Sequence, residues 1–408
     1  MSLKNNVAWT LFGNVFYAGC QWGIIVILAK LTNTKTVGLF ALALAVTAPI
    51  FLFSQLQLRA VQATDAKDAY QFGHYLGLRL ISTVVGMIVA ISVAFLSYDK
   101  KTALVIFAVA LSKMFESISD LLYGLMQKHE RMDLIAKSNI IKGMLSLIIL
   151  SLFIFFTRNL LFGILGMAAV WGGLLYFFDL PNSKMLLNGL GDKMYERQSV
   201  VPIFDPVQLW KLAWLALPLG IVMSLLSLNA NIPRYCIERY CGKSELGIFA
   251  ALAYLVTAGG VIVNAMGQAV VPRLAQYYAS GRTVAYRRLL MRLLLIGAAF
   301  GIFGISIAYY AGDIILGMIY SAEYAKKQDV FVWIMAAGGF AYIASFCGCG
   351  VTAARIFKAQ LPVSILVISI TTFAAYYFIP ANGLVGAAYT LLISNTAVAL
   401  LYLAILIR

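Results

Sequence analysis

The chain has 408 residues, 62% hydrophobic and only 12% charged, with a net charge of +15 and a mean hydropathy of +0.89. Soluble domains are roughly 45–50% apolar and about 25% charged, so this composition excludes a water-soluble globular fold and places the chain in a bilayer. The basic balance comes with no basic stripe and no nucleic-acid-binding motif; it points to topology charges and an anionic cargo, not to nucleic acid.

About twelve apolar runs follow one another: 6–29, 36–58, 75–97, 102–127, 134–156, 160–180, 209–232, 246–272, 286–310, 329–353, 361–380 and 383–407. Each is near the ~20 residues that a helix needs to cross a membrane. They are too long, and alternate too little, for an outer-membrane strand barrel. The first run has no small-residue cleavage site and is expected to stay in place as a helix. The second opens on VGLFALALAVTAP (37–49) and closes on QLQLR, which carries Gln55, Gln57 and Arg59.

The fourth run contains SKMFESISD (112–120), where Lys113, Glu116 and Asp120 are three and four residues apart and share one helical face. A charge at the bilayer centre costs at least about 2.5–3.5 kcal/mol. Three on one face must therefore look at protein or at a wet cavity. Two readings stand: a cavity wall with Lys113 binding an anion and a carboxylate carrying a coupling ion, or a Lys113–Glu116 pair that pins helices together. Lys142, in NIIKGM of the fifth run, is a second cation with no acid near it in sequence. It either reaches an aqueous surface, snorkelling included, or loses its proton.

The longest polar connector, 181–208, contains Pro181, Pro202 and Pro206 and divides the chain into 1–180 and 209–408. The seventh run ends SLNANIPRYCIERY (227–240), with Asn229 and Asn231 inside it, Pro233 expected to stop or kink it, and Glu238 four residues after Arg234. The eighth opens on LGIFAALAYLVTAG (246–259), the phrase that opened the second run, with Gly247 where Gly38 stood. It leads to NAMGQAVVPR, where Asn264, Gln268 and Arg273 mirror Gln55, Gln57 and Arg59. The two arginines are expected to face each other at a cytoplasmic entrance.

A phrase repeated half a chain apart, with six crossings between its copies, implies a duplicated all-α integral membrane fold. It predicts two parallel six-helix lobes related by an axis along the membrane normal, with substrate near the midplane of their interface. With the amino terminus in the cytoplasm, nineteen Lys and Arg lie on the cytoplasmic side, ten on the other and two within helices. Both termini are therefore expected inside.

Several chemistries have no support. CGKSELG (241–247) has Ile237 where a phosphate-binding loop needs glycine, so no ATP site or other cofactor is expected. The five cysteines (Cys20, Cys236, Cys241, Cys347, Cys349) lack metal-ligand spacing, and a metal site is not expected either. A polysaccharide polymerase or glycosyltransferase usually needs a large extramembrane loop, which is missing here, so the chain is not expected to be an enzyme.

The stretches NIPRYCIE, LGIFAALAYL, GQAVVPRLAQYY, LQLRAVQATDA (56–66) and SKMFESISDLLYGLMQKHERMDLIAKSNIIKG (112–143) resemble the polysaccharide-transporter branch of the multidrug/oligosaccharidyl-lipid/polysaccharide exporter superfamily. These are the O-antigen and capsule repeat-unit flippases. The resemblance implies about 12 transmembrane helices in two lobes that form a V around a central cavity. It implies an undecaprenyl-diphosphate-linked oligosaccharide as cargo, moved from the cytoplasmic to the outer leaflet of the bacterial inner membrane by alternating access. Arg59, Lys113, Lys142 and Arg234 match its diphosphate-holding cations, and Arg273 joins them as the repeat partner of Arg59. An H+ or Na+ gradient is the expected energy source, with Glu116, Asp120 or Glu238 as carrier. Polysaccharide polymerase and chain-length machinery are the expected protein partners. Related lipid II flippases carry two further helices, which this chain is expected to lack, and that argues against a peptidoglycan precursor as cargo. Rival readings are an organic-cation antiporter on the same fold, whose cavity should be acidic, and a passive scramblase. Phe16, Tyr17, Trp22, Tyr123 and Tyr254 are candidates for stacking on sugar rings.

Overall fold

The structure, a computed structural model, describes residues 3–65, 69–188, 200–356 and 359–407. Among the described residues all regular structure is helical. In order these are α1 (Leu3–Leu31), α2 (Thr34–Ser54), the short α3 (Leu58–Thr64), α4 (Phe72–Ser97), α5 (Lys100–Lys128) and α6 (Met132–Thr157). Then α7 (Leu160–Leu174) runs through a π-helical turn, Leu175–Asp179, into α8 (Leu180–Asn188). After the connector come α9 (Pro206–Ala279), α10 (Thr283–Ile319), the one-turn α11 (Ala322–Ala325), α12 (Gln328–Ala353) and α13 (Gln360–Ile407).

Ten of these stretches are long and apolar enough to cross a membrane. Two, α9 and α13, are each broken by one glycine at positive φ, Gly242 at 87° and Gly383 at 55°. The ten therefore supply twelve crossing-length arms, as the run lengths predict. Many large apolar side chains are exposed: Leu96 is 87% exposed, Tyr310 81% and Phe177 78%. Helices that satisfy their own backbone and turn such residues outward suit hydrocarbon, not water. The chain is a multi-pass membrane protein.

Local chemistry sets the helix ends. Asp99 caps α5 through the Thr102 amide and hydroxyl, Asn159 caps α7 through the Leu161 amide, and Asp205 accepts from the Val207 amide at the start of α9. Arg158 ends α6 at φ 54° and donates to the Leu31 carbonyl at the end of α1. Of the two outcomes expected at Pro233, a stop does not occur: α9 continues to Gly242, where only glycine adopts the required conformation without strain. One expectation is corrected. The second run does not continue to Leu58. Leu56 and Gln57 both take left-handed φ values, near 50°, and the chain re-enters helix as α3.

The chain forms two compact units, Met1–Thr32 with Leu42–Ser227, and Asn33–Ala41 with Leu228–Arg408. In the first, α5 packs against α3, α4, α6, α7 and the π turn, over a core that includes Leu58, Leu121, Leu122, Leu125 and Leu212. In the second, α12 packs on both α10 and α13, over a core that includes Val263, Leu290, Leu293 and Phe346. Of the predicted connector, 189–199, with Lys193 and Arg197, lies outside the described residues, as do Lys67, Lys358 and Arg408.

The repeated phrase has a structural meaning inside the second unit. Gly38 and Gly247 touch: a Cβ on either would run into the backbone of the other's helix, at the Lys243 and Thr34 carbonyls. Thr34 hydrogen-bonds Ser244 and donates to Glu323 at 3.1 Å. Small residues with flanking hydroxyls let two membrane helices meet backbone to backbone.

Candidate functional site: a cationic cluster on α5

The polar face that the sequence places on α5 is the centre of a network. Lys113 donates to Glu116 at 2.6 Å, and both side chains are partly exposed. Asp120, one turn further, accepts from two arginines, Arg59 of α3 at 3.3 Å and Arg79 of α4 at 3.4 Å. Arg59 is held in turn by Gln127 at 3.1 Å. Its position depends on the left-handed turn at Leu56–Gln57, which brings α3 back along α5.

Arg79 is the group that sequence reasoning misses. It looks like a topology charge at a helix end, yet its side chain is 0% exposed. It donates to Ser117, which also bonds Thr83, while its Nε has no partner among the described residues. Three polar positions on facing helices, Thr83, Ser117 and Asp120, are the signal that places it.

Deeper in the bundle lies Lys142 of α6. It reaches no aqueous surface, being 2% exposed, and it has partners. It donates to the Tyr123 hydroxyl at 3.0 Å and lies over the rings of Tyr123 and Trp171, 5.2 and 5.5 Å from their centroids. Lys113 lies over the same Trp171 ring at 5.7 Å, and Trp171 is fixed by an indole hydrogen bond to Ser146 at 2.7 Å. Such placements are worth about 0.5–2 kcal/mol each. Tyr123, offered above for sugar stacking, is buried and committed to this network.

Behind Tyr123 stands a carboxylate that the sequence does not single out. Asp179, the last residue of the π turn, is 0% exposed and accepts from Ser138 and Ser119, each at 2.7 Å. Single π turns inside α-helices recur at functional sites; this one turns Asp179 towards α5 and α6. The Ser138 proton goes to Asp179, so Tyr123 donates to Ser138 and its oxygen accepts from Lys142. Arg59 lies 5.8 Å from the Tyr123 centroid, which joins the two halves of the network. Four cations (Arg59, Arg79, Lys113, Lys142) meet three carboxylates (Glu116, Asp120, Asp179), so the cluster carries one positive charge in excess.

The remaining site candidates lie in the second unit. Arg234 donates to Asn231 at 2.7 Å, and its Nε is buried without a partner among the described residues. Asn229 donates to Ser394 at 3.4 Å. Glu238 lines a cavity of about 440 Å³ with Lys35, Cys241, Gly242, Lys243 and Ser244. Arg273 is exposed and donates to Tyr277 of its own helix at 3.0 Å. Arg59 and Arg273 thus differ locally, one ion-paired on a separate short helix and the other loose on a long one. All five cysteines are free, and no cluster of His, Cys, Asp and Glu suited to a metal occurs among the described residues.

Residues 3–278 match the family described as polysaccharide biosynthesis protein. The chain belongs to that family. It is 28% identical over 396 residues to the capsular polysaccharide biosynthesis protein CapF of Staphylococcus aureus, covering 96% of both chains. Among solved structures it is similar to the lipid II flippase MurJ in an inward closed conformation (TM-score 0.75, 11% identity, 97% of this chain and 87% of that one). It is also similar to a mutant of the Vibrio cholerae MATE transporter VcmN (TM-score 0.65, 14% identity, 99% and 96%). The family member described here therefore has the all-helical membrane fold of these transporters.

Proposed function

We propose that this family member flips an undecaprenyl-diphosphate-linked oligosaccharide, an O-antigen or capsule repeat unit, from the cytoplasmic to the outer leaflet of the bacterial inner membrane. Movement is by alternating access and coupled to an H+ or Na+ gradient, with both termini in the cytoplasm; the chain is not an enzyme. The observation that carries this reading is the excess positive charge gathered around α5 inside an apolar bundle. Burying a charge without a partner is very costly. An anion is the ligand that balances this cluster, and a diphosphate is the charged part of a polyprenyl carrier. Lys113 and Arg59, both partly exposed, make first contact with it; buried Arg79 and Lys142 act from behind through Asp120 and the Trp171 ring. Arg234 is assigned to the same cargo in the second unit. The kinship with a capsular polysaccharide biosynthesis protein supports the sugar-bearing part.

The test is cargo choice in proteoliposomes. A polyprenyl-diphosphate oligosaccharide should become accessible in the opposite leaflet faster than in protein-free vesicles, while an organic cation such as ethidium is not moved. Transport of the cation alone would instead identify an antiporter.

A further inference from the structure

We propose that Asp179 is a proton-binding site whose occupancy sets how much positive charge Lys142 offers to an anion. The inference rests on the anion reading of the α5 cluster and adds a carboxylate to those named for coupling.

The three carboxylates of the cluster are held differently. Glu116 is paired with Lys113, and Asp120 with both Arg59 and Arg79. Each of those two carboxylates touches a cation directly. The hydrogen-bond partners of Asp179 are instead two neutral hydroxyls, Ser119 and Ser138. Its link to a cation is indirect and directed: Lys142 Nζ donates to Tyr123 at 3.0 Å, Tyr123 to Ser138 at 2.7 Å, and Ser138 to Asp179 at 2.7 Å. Every member of that chain is buried.

Among the described residues the surroundings leave Asp179 one counter-charge at that remove. The ionisable groups on α5 are Lys100 and Lys101 at its start, Lys128 at its end, and between them Lys113, Glu116, Asp120 and Tyr123, of which Lys113, Glu116 and Asp120 are engaged as described. On α6 they are Asp133, Lys137 and Lys142, and Asp133 is committed to Arg131 and Lys137. On α8, Lys184 is exposed, and Arg79 of α4 is spent on Asp120 and Ser117. The π turn and α7 bring no other charged group. Ser183, four residues beyond Asp179, is 0% exposed with its hydroxyl unpartnered among the described residues.

Proton uptake follows simply: the carboxylate takes one proton from water and becomes a neutral acid. Ser119 and Ser138, each able to donate or accept, rotate to suit. Lys142 then loses the charge that balanced it, and the cluster gains a second excess positive charge beside Trp171 and Lys113. Anion affinity rises, and by linkage anion binding draws a proton onto Asp179.

The test uses the full chain in nanodiscs, with inorganic pyrophosphate as the probe. An infrared pH titration without ligand should show a protonated-carboxyl carbonyl band that Asp179→Asn removes; the same spectra in both proteins would overturn the proton site. Pyrophosphate affinity should rise as pH falls, by at most about tenfold per pH unit for one linked proton. That rise should exceed the one in Asp179→Asn, a comparison that cancels the titration of pyrophosphate itself. Ser138→Ala keeps the carboxylate and cuts the chain: the band should remain and the extra pH dependence should go. Equal pH dependence in wild type and both variants would overturn the linkage. Absence of pyrophosphate binding at every pH would end the anion reading and the linkage with it, leaving the proton site to be judged on the band alone.

Discussion

Gly38 and Gly247, matching positions of the repeated phrase, pack against one another so closely that neither has room for a methyl group. The phrase carries its glycine at both positions, and the two helices cross at that point. Overpacking in a tight site costs about 1–3 kcal/mol. Gly38→Ala and Gly247→Ala should each lower the detergent melting temperature clearly. Gly19→Ala and Gly173→Ala, which meet nothing within 4 Å, should leave it level or raise it slightly, because alanine is the better helix former.

Asp120 and Glu116 lie on one face of α5 and should behave differently. Asp120→Asn leaves the fully buried Arg79 without an anion, and breaking a buried pair costs about 3–5 kcal/mol. Glu116→Gln leaves Lys113 partly exposed, where a pair is worth at most about 1 kcal/mol. Thermal unfolding of both variants in one detergent should rank Asp120→Asn far below Glu116→Gln. Equal shifts would contradict the network.

Much of this was legible in the residues. Run lengths predict the twelve arms, and the spacing of Lys113, Glu116 and Asp120 predicts a shared face; the repeated phrase points to matching helices, while the contact between Gly38 and Gly247 comes from the structure. Four features were not legible, each for a physical reason. Left-handed φ at Leu56 and Gln57 has no local signature, because neither residue favours it. Pro233 reads as a breaker, yet here helix runs on through it. Arg79 reads as a loop charge because its partners come from another helix. Asp179 sits in an apolar run, and its serine partners come from two other helices.

Lys142 and Asp179 interact through two hydroxyls, so their substitutions should not add. Lys142→Met leaves the buried Asp179 without its cation, and Asp179→Asn does the reverse. The double variant should be more stable than the sum of the single losses implies, by about 0.5–3 kcal/mol. Additivity within error would show that the two groups do not sense each other.

At the α3–α4 connection Asp65 accepts from the Ala69 and Tyr70 amides, at 3.1 and 3.3 Å, and from the Tyr75 hydroxyl at 3.1 Å. Burial pushes its carboxyl up, but these donors outweigh burial and hold it below the usual carboxylate range. A depressed carboxylate stabilises the fold above its unfolded pKa, about 3.9, and that contribution is lost as pH falls through the folded value. The wild type should therefore lose more melting temperature than Asp65→Asn between pH 6 and roughly pH 3. A parallel loss in both would contradict the assignment.

The central claim is that the positive excess on α5 holds the diphosphate of a lipid-linked sugar. The most direct measurement is equilibrium binding of a polyprenyl-diphosphate oligosaccharide to the purified protein, with Lys113→Gln and Arg59→Gln beside the wild type. Each lost charge-assisted contact should weaken binding by roughly ten- to a hundredfold, the equivalent of about 1.5–3 kcal/mol. Unchanged affinity in both variants, with the wild type binding well, would contradict the account.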